Sequence, residues 1–376
     1  MRIAQVAPLY EAVPPKLYGG TERVVSYLTE ELVRQGHDVT LFASGDSVTS
    51  ARLVAACPQA LRLDTTAVDP LAPHVVMLER VARESARFDV IHYHIDYLHF
   101  ALSRRLRVPH VTTLHGRLNL PELQLVYDEF VEAPVVSISD HQRLPLPQAN
   151  WQATVYHGLP TGVTRRDGRG DYLAFLGRIS PEKRVDRAVE IARRVGMKLR
   201  VAAKVDRADA EYFRRDIEPL FRDPLVEFVG EIGEAEKPEF LGNAKALLFP
   251  IDWPEPFGLV MIEAMRCGTP VVAWRCGSVP EVIDHGVTGF IVEDMNAAAA
   301  AVGRVGELDR ARVRAAFESR FSASRMAADY ITVYEQLVAG RRRAAAAGND
   351  LARPRRREVR ALVPSLTTGK PLPTGL

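Results

Sequence analysis

The sequence has little of what would assign it to a simple class. Its 376 residues include only three cysteines, Cys57, Cys267 and Cys276, at wide spacing. An odd, scattered set of cysteines indicates neither a disulfide framework nor a zinc site, and it favours a reducing compartment such as the cytoplasm. No apolar run approaches the roughly 18 residues that a membrane-spanning helix needs. Residues 1–7 are polar too early for a secretory leader and predict a first β-strand instead.

Charge of one sign is also scarce, because the net charge is only +2. Residues 340–360 hold eight arginines against Asp350 and Glu358, and Lys370 follows, so residues 1–339 carry about −5. A mildly acidic body does not favour nucleic acid as a partner. We expect 341–376 to form a basic, mobile tail. The tail is either a solvated end or an element attracted to anionic lipid at the inner membrane face.

Short β-branched runs alternate with helical patterns along most of the chain. Such alternation predicts an α/β protein with parallel sheets covered by helices on both faces. The predicted strands are 2–7, 39–42, 89–92, 110–114, 134–138, 153–156, 172–176, 198–201, 225–229, 246–249, 270–273 and 290–292. The predicted helices include 21–36, 77–87, 184–195, 236–243, 259–267 and 297–307.

A Gly/Arg-rich break near 158–171 divides these strands into two sets of six. We therefore expect two doubly wound domains, 1–157 and 158–321, with a helix at about 322–339 that rejoins the first domain. Ligands of such folds bind at the carboxyl ends of the strands, here in a cleft between the domains.

The first candidate motif is Tyr18-Gly19-Gly20-Thr21-Glu22-Arg23, which opens an amphipathic helix. Paired glycines at a helix start let backbone N–H groups approach an anion, and Thr21 suits the N-cap. The motif is not Gly-x-Gly-x-x-Gly, so it does not match the dinucleotide fingerprint. Taken alone, it is equally consistent with a tight turn before an ordinary helix.

The second motif runs from Phe175 to Lys183, between the first strand of the second domain and a helix starting near Arg184. Gly177 permits a close backbone approach, and Arg178 and Lys183 offer cations for a diphosphate. The alternative is a solvated loop with surface charges.

The third and most specific motif runs from Pro254 to Met265. Glu255 precedes a helix that starts near Gly258, and Glu263 lies just over one turn into it. Two carboxylates that can bind sugar hydroxyls thus flank backbone N–H groups that attract phosphate. The combination is typical of a site for a sugar nucleotide, although isolated glutamate pairs often lie on ordinary helix surfaces.

A fourth candidate is the pair His92 and His94, which share one face of a strand. No third ligand at zinc-like spacing accompanies them. We expect one of the two to pack in the core, and His94 to face the acceptor side of the cleft.

Together, in this order and spacing, Gly19-Gly20, Gly177-Arg178 with Lys183, and Glu255-x7-Glu263 resemble glycosyltransferase family 4, which has the GT-B fold. Two further segments, Gly268–Ala273 and Gly277–Gly289, extend the resemblance over roughly residues 1–338. It implies a retaining enzyme that moves a hexose, glucose by default, from a nucleotide-sugar such as UDP-glucose to an unidentified hydroxyl. Such an acceptor is a small molecule, a lipid or a glycan.

The resemblance also implies roles for individual residues. The implied catalytic residues are His115, Arg178, Lys183 and Glu255. The implied donor-binding residues are Gly19, Gly20, Ile232, Phe257, Gly258, Leu259 and Glu263, and the acceptor side has His94, Ser139 and Arg143. Members often have Asn-Gly where this chain has His157-Gly158, and we expect that position to serve the connection between domains.

No Asp-x-Asp, the metal-holding motif of the other major transferase fold, occurs in the chain. Arg178, Lys183 and helix N-termini would neutralise the diphosphate instead, so we expect no metal cofactor. Three alternatives stay open: a nucleotide-sugar epimerase of the same fold, a non-enzymatic sugar-nucleotide-binding protein, and a nucleic-acid-modifying transferase guided by the tail. The sequence does not indicate an oligomeric state.

Overall fold

The computed structural model describes residues 1–16, 19–62, 64–65, 67–162 and 170–346. Its first sheet is parallel and has the strand order β3-β2-β1-β4-β5-β6-β7. The strands are β1 Arg2–Val6, β2 Asp38–Ala43, β3 Arg52–Ala55, β4 Val90–Tyr93, β5 His110–Thr113, β6 Pro134–Ser137 and β7 Asn150–Thr154. The helices along this part of the chain are α1 Gly20–Arg34, α2 Leu71–Glu84, α3 Phe100–Ser103 and α4 Pro121–Glu129.

The second sheet is also parallel, with the order β10-β9-β8-β11-β12-β13. Its strands are β8 Tyr172–Arg178, β9 Lys198–Lys204, β10 Val226–Gly230, β11 Ala246–Phe249, β12 Val271–Trp274 and β13 Gly289–Val292. Its helices are α5 Val185–Val195, α6 Ala210–Tyr212, α7 Lys237–Gly242, α8 Leu259–Arg266, α9 Val279–Val282, α10 Met295–Arg304 and α11 Arg310–Arg320.

Both strand orders reverse direction once, between β1 and β4 and between β8 and β11. At such a switch point the loops leave the sheet in opposite directions and open a crevice at the carboxyl ends of the strands. His94 follows β4, and Arg178 ends β8. The two switch points therefore bring chemistry-bearing residues from both halves of the chain to one cleft.

The last helix, α12 (Ala323–Ala346), follows the second sheet in sequence but packs on the first. Its Met326, Tyr330 and Tyr334 are fully buried against strands β1, β4 and β5 and helix α1. The chain crosses between the halves at two adjoining points, where Leu159 pairs with Ser322. A Cβ on Gly158 would lie 2.4 Å from the Ser322 carbonyl oxygen, so only glycine permits this crossing.

Several details differ from the sequence predictions, including the start of α2, which begins at Leu71 instead of residue 77. Strand β3 was not predicted, and the first sheet has seven strands instead of six. The N-cap of α1 is Gly19, two residues before the predicted Thr21, and the helix begins at Gly20 instead of residue 21. Helix α12 continues to Ala346, which makes residues 341–346 of the predicted mobile tail helical. The rest of the tail, 347–376, lies outside the described residues.

Candidate functional site

A cavity of about 670 Å³ lies between the two sheets at the carboxyl ends of their strands. It contains twelve of the fourteen residues predicted for the site: Gly19, Gly20, His94, His115, Arg178, Lys183, Ile232, Glu255, Phe257, Gly258, Leu259 and Glu263. The residues come from both halves of the chain, so the cavity depends on the two sheets facing each other.

Two helix N-termini meet in the cavity. Gly19 and Gly20 begin α1, and Gly258 is the N-cap of α8, in the left-handed conformation with φ 78°. A Cβ on Gly20 would lie 3.4 Å from Leu259 Cδ1, which shows how closely the two helix starts approach. The first N–H groups of each helix lack intrahelical acceptors and carry partial positive charge. Their convergence creates a site suited to an anion.

The loop that carries Glu255 is braced by the segment after β12. Gly277 has φ 56°, and a Cβ there would lie 2.4 Å from both the N and O atoms of Glu255. Ser278 N donates to Glu255 O at 3.0 Å, and Ser278 Oγ donates to Phe257 O at 2.8 Å. Gly277 and Ser278 therefore fix the backbone of the Glu255 loop, a role that the sequence did not assign to them.

Both predicted cations are bound to carboxylates in this structure. Lys183 Nζ donates to Glu255 Oε2, which also accepts from Trp253 Nε1 at 2.8 Å. The Arg178 guanidinium lies 2.7 Å from Glu182 and 3.6 Å from Asp206 and from Asp209. The cations are thus held in place, and a diphosphate would compete with these carboxylates for them.

Lys237 holds the predicted ribose-binding carboxylate. Its Nζ contacts Glu263 at 2.6 Å and Glu234 at 3.0 Å. Burial alone would lower the pKa of Lys237, but the two carboxylates raise it above its ordinary value. Glu234 in turn accepts from Tyr27 Oη at 3.1 Å and lies 3.4 Å from Arg23, both on α1. A chain of polar contacts therefore joins Glu263 to the opposite wall of the cleft.

That opposite wall contains buried histidines. His115 Nε2 lies 2.9 Å from His94 Nδ1, and the His115 ring stacks on His157 with centroids 5.3 Å apart. Burial lowers the pKa of His115 to about 3 and the pKa values of His92, His94 and His157 well below the usual range. These imidazoles are neutral at pH 7. His157, expected to serve only the connection between domains, also lines the cavity.

Two predicted residues do not line the cavity. Ser139 Oγ accepts from the backbone N–H of Gln142 at 3.1 Å. Arg143 donates to Ser137 Oγ at 2.7 Å, and its guanidinium lies over the Trp151 ring. Both side chains therefore stabilise the first domain internally, which corrects the prediction that they face the acceptor.

Two acidic residues of the cavity wall were not predicted. Glu22 is buried in the first turn of α1, and burial raises the pKa of its carboxyl group to about 7. Asp96, which follows β4, adopts φ 50°, a backbone conformation that non-glycine residues rarely have. Glu22 lies inside the Gly-Gly motif, which already indicated a binding site at this position. No sequence motif indicates a role for Asp96.

Within the described residues, no group of three or more histidine, cysteine, aspartate or glutamate side chains is arranged to hold a metal ion. Over the same part of the chain, no helix has the length and apolar character needed to cross a bilayer.

Two family models match the chain. Residues 18–143 match the model described as Glycosyltransferase Family 4, and residues 162–312 match Glycosyl transferases group 1. Together the matched ranges cover more than two thirds of the chain and include most of the cavity residues.

Curated relatives agree with this assignment. The protein called uncharacterized glycosyltransferase MJ1178 of Methanocaldococcus jannaschii is 23% identical over 228 residues, or 57% of this chain and 63% of that protein. The chain thus spans less than two thirds of that relative's length. N-acetyl-alpha-D-glucosaminyl L-malate synthase of Bacillus anthracis is 26% identical over 371 residues, which span 85% of this chain and 94% of that protein.

Solved structures share the fold. AviGT4, a glycosyltransferase involved in avilamycin A biosynthesis, is 24% identical with a TM-score of 0.71, over 90% of this chain and 98% of that one. Anabaena Alr3699/HepE, solved in complex with UDP and glucose, is 19% identical with a TM-score of 0.67, over 89% and 100%. The paired sheets, the cavity between them and the two family matches lead to one conclusion: the chain is a glycosyltransferase of family 4 with the GT-B fold.

Proposed function

We propose that this glycosyltransferase moves a hexosyl group from a nucleoside diphosphate sugar to a hydroxyl acceptor, with retention at the anomeric carbon and without a metal cofactor. UDP-glucose is the default donor. The observation that carries the proposal is the convergence of two helix N-termini with Arg178 and Lys183 in one cavity. A diphosphate is the group that such a concentration of positive charge would bind.

The sugar and ribose are assigned to the two glutamates. Glu255 lies beside Lys183 at the cation site, so its carboxylate is placed to accept from hydroxyls of the transferring sugar. Glu263, held by Lys237, is placed to accept from ribose hydroxyls. The backbone near Ile232 would face the base, and the complex of HepE with UDP and glucose supports the uridine nucleotide as default.

In the proposed reaction, the bond between C1 and the β-phosphate oxygen breaks, and its electron pair goes to the phosphate. Arg178 and Lys183 stabilise the growing negative charge. The acceptor oxygen forms its bond to C1 on the same face, and its proton goes to the departing phosphate oxygen. Closure of the cleft around the donor would exclude water and limit hydrolysis.

The acceptor would enter on the side of the first domain. The cavity wall there includes Tyr10, Asp96, Tyr97 and Leu98, from loops that follow β1 and β4. A mixed polar and aromatic wall of this kind suits a sugar or another polyol.

A donor screen followed by product analysis tests the proposal. Thermal unfolding with UDP-, GDP- and ADP-sugars should give an increase in Tm of a few degrees for the true donor class, because bound ligand stabilises the folded state. The selected donor is then incubated with EDTA and a panel of alcohols and sugars, and NMR follows the anomeric configuration of the product.

A retained configuration in EDTA supports the proposal. An inverted product or dependence on a divalent ion contradicts it. Conversion of the sugar with donor alone identifies an epimerase, and binding without turnover over the whole panel identifies a binding protein.

A further inference from the structure

A line of buried polar side chains runs from the C-terminal helix to the cavity wall. We call Tyr334, Gln5, His94 and His115 the imidazole relay. Gln5 Nε2 donates to Tyr334 Oη at 3.1 Å, Gln5 Oε1 lies 2.7 Å from His94 Nε2, and His94 Nδ1 lies 2.9 Å from His115 Nε2. Tyr334 and Gln5 are fully buried, and His94 is 3% exposed. Buried polar groups at such distances are ordered by their hydrogen bonds.

The relay assigns protons to particular nitrogens. An amide oxygen only accepts, so His94 Nε2 carries the proton that Gln5 Oε1 receives. A neutral imidazole has a single N–H, which leaves His94 Nδ1 as an acceptor. The facing nitrogen, His115 Nε2, therefore carries its proton and donates it to His94. His115 Nδ1 is then bare.

This proton assignment requires that the imidazoles of His94 and His115 are both neutral, and their burial keeps them neutral. Burial keeps the pKa of His115 at about 3 and that of His94 well below its usual value. His115 Nδ1 is also buried and has no hydrogen-bond partner among the described residues. A buried acceptor without a donor is costly, and a hydroxyl group is the substrate group that would satisfy it.

We propose that Gln5, His94 and Tyr334 are positioning residues that hold His115, a residue of the cavity wall, in its Nε2–H tautomer, so that Nδ1 is left only as an acceptor for a substrate hydroxyl's hydrogen bond. The inference rests on the proposed sugar transfer, because it assigns His115 a hydroxyl of the sugar or the acceptor as partner. It places a determinant of the reaction on α12, the helix that lies beneath the first sheet.

The chain offers a matched pair of substitutions for the test. Tyr334→Phe removes the hydroxyl that orients the Gln5 amide. Tyr330→Phe removes an equally buried hydroxyl one turn away on the same helix, bonded to Thr113 Oγ1 at 2.8 Å. Tyr330 is linked to Tyr334 through Thr113 and His92, so it lies three hydrogen bonds away from the relay. Tyr334→Phe also removes the contact of Tyr334 Oη with His92 Nδ1 at 2.7 Å. The free energy of unfolding of both variants is therefore measured, and their kcat values are compared where both are fully folded.

Kinetics with the donor selected above and its acceptor should separate the pair. Tyr334→Phe is expected to lower kcat about tenfold or more while the KM for donor stays unchanged, because misplacement of a reacting group acts on the chemical step. Tyr330→Phe should stay within about twofold of the wild-type kcat. Equal kcat values for the two variants would overturn the proposal.

A conservative variant gives a rescue experiment. His94→Asn retains an oxygen acceptor near the place of Nδ1, whereas His94→Leu retains none. We expect His94→Asn to keep at least about ten times the kcat of His94→Leu. If the two are equally impaired, His94 acts only through packing, and the relay is refuted.

A spectroscopic readout separates the relay from the transfer reaction itself. Long-range ¹H–¹⁵N correlation spectra of protein labelled with ¹⁵N-histidine report which nitrogen of each imidazole carries hydrogen. His115, assigned by loss of its signals in His115→Gln, should be Nε2–H in the wild type and in Tyr330→Phe, and a tautomer mixture in Tyr334→Phe. An Nδ1–H tautomer in the wild type overturns the relay even if transfer is observed. Failure of every sugar nucleotide to react overturns the proposed function and leaves this measurement intact.

Discussion

The two walls of the cleft differ in how their polar side chains are charged. The wall from the second domain is built of charges in pairs, such as Lys183 with Glu255 and Lys237 with Glu263. The wall from the first domain contains a cluster of neutral imidazoles, in which His94 and His115 are in hydrogen-bond contact. A charged donor needs compensating charge, whereas a neutral hydroxyl needs only orientation. The charged wall is therefore suited to bind the charged donor, and the imidazole wall is suited to orient a neutral hydroxyl.

Acidification should have the largest effect on this difference between the walls. Protonation would give the neutral imidazoles of the first wall a positive charge. The pKa values of His92, His94, His115 and His157 lie below the ordinary value of 6.5 in the folded chain. Below pH 6.5 the unfolded chain therefore binds more protons than the folded chain, and the free energy of unfolding falls as pH drops. At pH 5 each such histidine should contribute a loss of roughly 2 kcal/mol relative to pH 7.5.

Urea denaturation at pH 7.5, 6.5 and 5 measures this loss. His157→Asn should reduce the pH dependence by one proton, because burial lowers the pKa of His157 in the folded chain. The raised pKa values of Glu22 and Asp96 oppose the histidine effect over this range but are common to both proteins, so the comparison with His157→Asn isolates one imidazole. An unchanged pH dependence in His157→Asn would show that this imidazole protonates in place.

Removal of a cation from the charged wall should have the next largest effect. Lys183→Ala is expected to lower kcat/KM by about 10²- to 10³-fold, or roughly 3–4 kcal/mol, because charge on the leaving phosphate loses a preorganised partner. Release of the nucleotide diphosphate measures the rate. Lys198→Ala, at the exposed start of β9, is the control. If both lysine variants keep the wild-type kcat/KM, the cation site is assigned wrongly.

Neutralising the support of Glu263 should have a smaller effect that falls on binding. Lys237→Met keeps most of the side-chain volume but leaves the buried Glu263 carboxylate without its ammonium partner. We expect the KM for the donor to rise about tenfold, near 1.4 kcal/mol, with little change in kcat. The same substitution assayed with a 2′-deoxyribose donor should show a reduced effect. An equal effect on both donors would show that Lys237 does not contribute to recognition of the ribose hydroxyls.

The smallest expected effect concerns the contact that joins the two walls. Tyr27→Phe removes the hydroxyl that donates to Glu234 across the cleft, a bond of about 1 kcal/mol. Donor affinity should fall by no more than about fivefold, measured by calorimetry. Tyr212→Phe, on a helix of the second domain away from the cleft, is the control. A loss larger than that of Lys237→Met would make the contact between walls the main determinant of donor binding.

Much of the fold was predictable because the signals are local. The β-branched runs that form β1, β4 and β11 are buried on both faces, and each was predicted to within about a residue of its ends. Strand β3 was missed because its residues are only partly buried or exposed, so no apolar pattern marks it. The start of β7 was missed because it begins with Asn150, Trp151 and Gln152, two of them polar.

The site was predictable where a motif fixes the backbone and less so where tertiary contacts decide. Gly258 and Glu255 lie where their motif predicts, because the glycine conformation and the helix start are encoded locally. Arg143 was misplaced because its partner Trp151 becomes its neighbour only after the sheet forms. Gln5 is a single polar residue inside an otherwise apolar strand, and this pattern indicates a buried hydrogen bond that the sequence predictions above did not include.

Helix α12 has a consequence for how the protein is made. The first sheet is complete in sequence at Thr154, yet Tyr330 and Tyr334, which cover its buried face, are added near the end of the chain. During synthesis the first domain must therefore wait for the whole second domain to leave the ribosome before its core is closed. An apolar sheet face is exposed for that interval, so the amino-terminal half is the part of the nascent chain that a chaperone would be needed to protect.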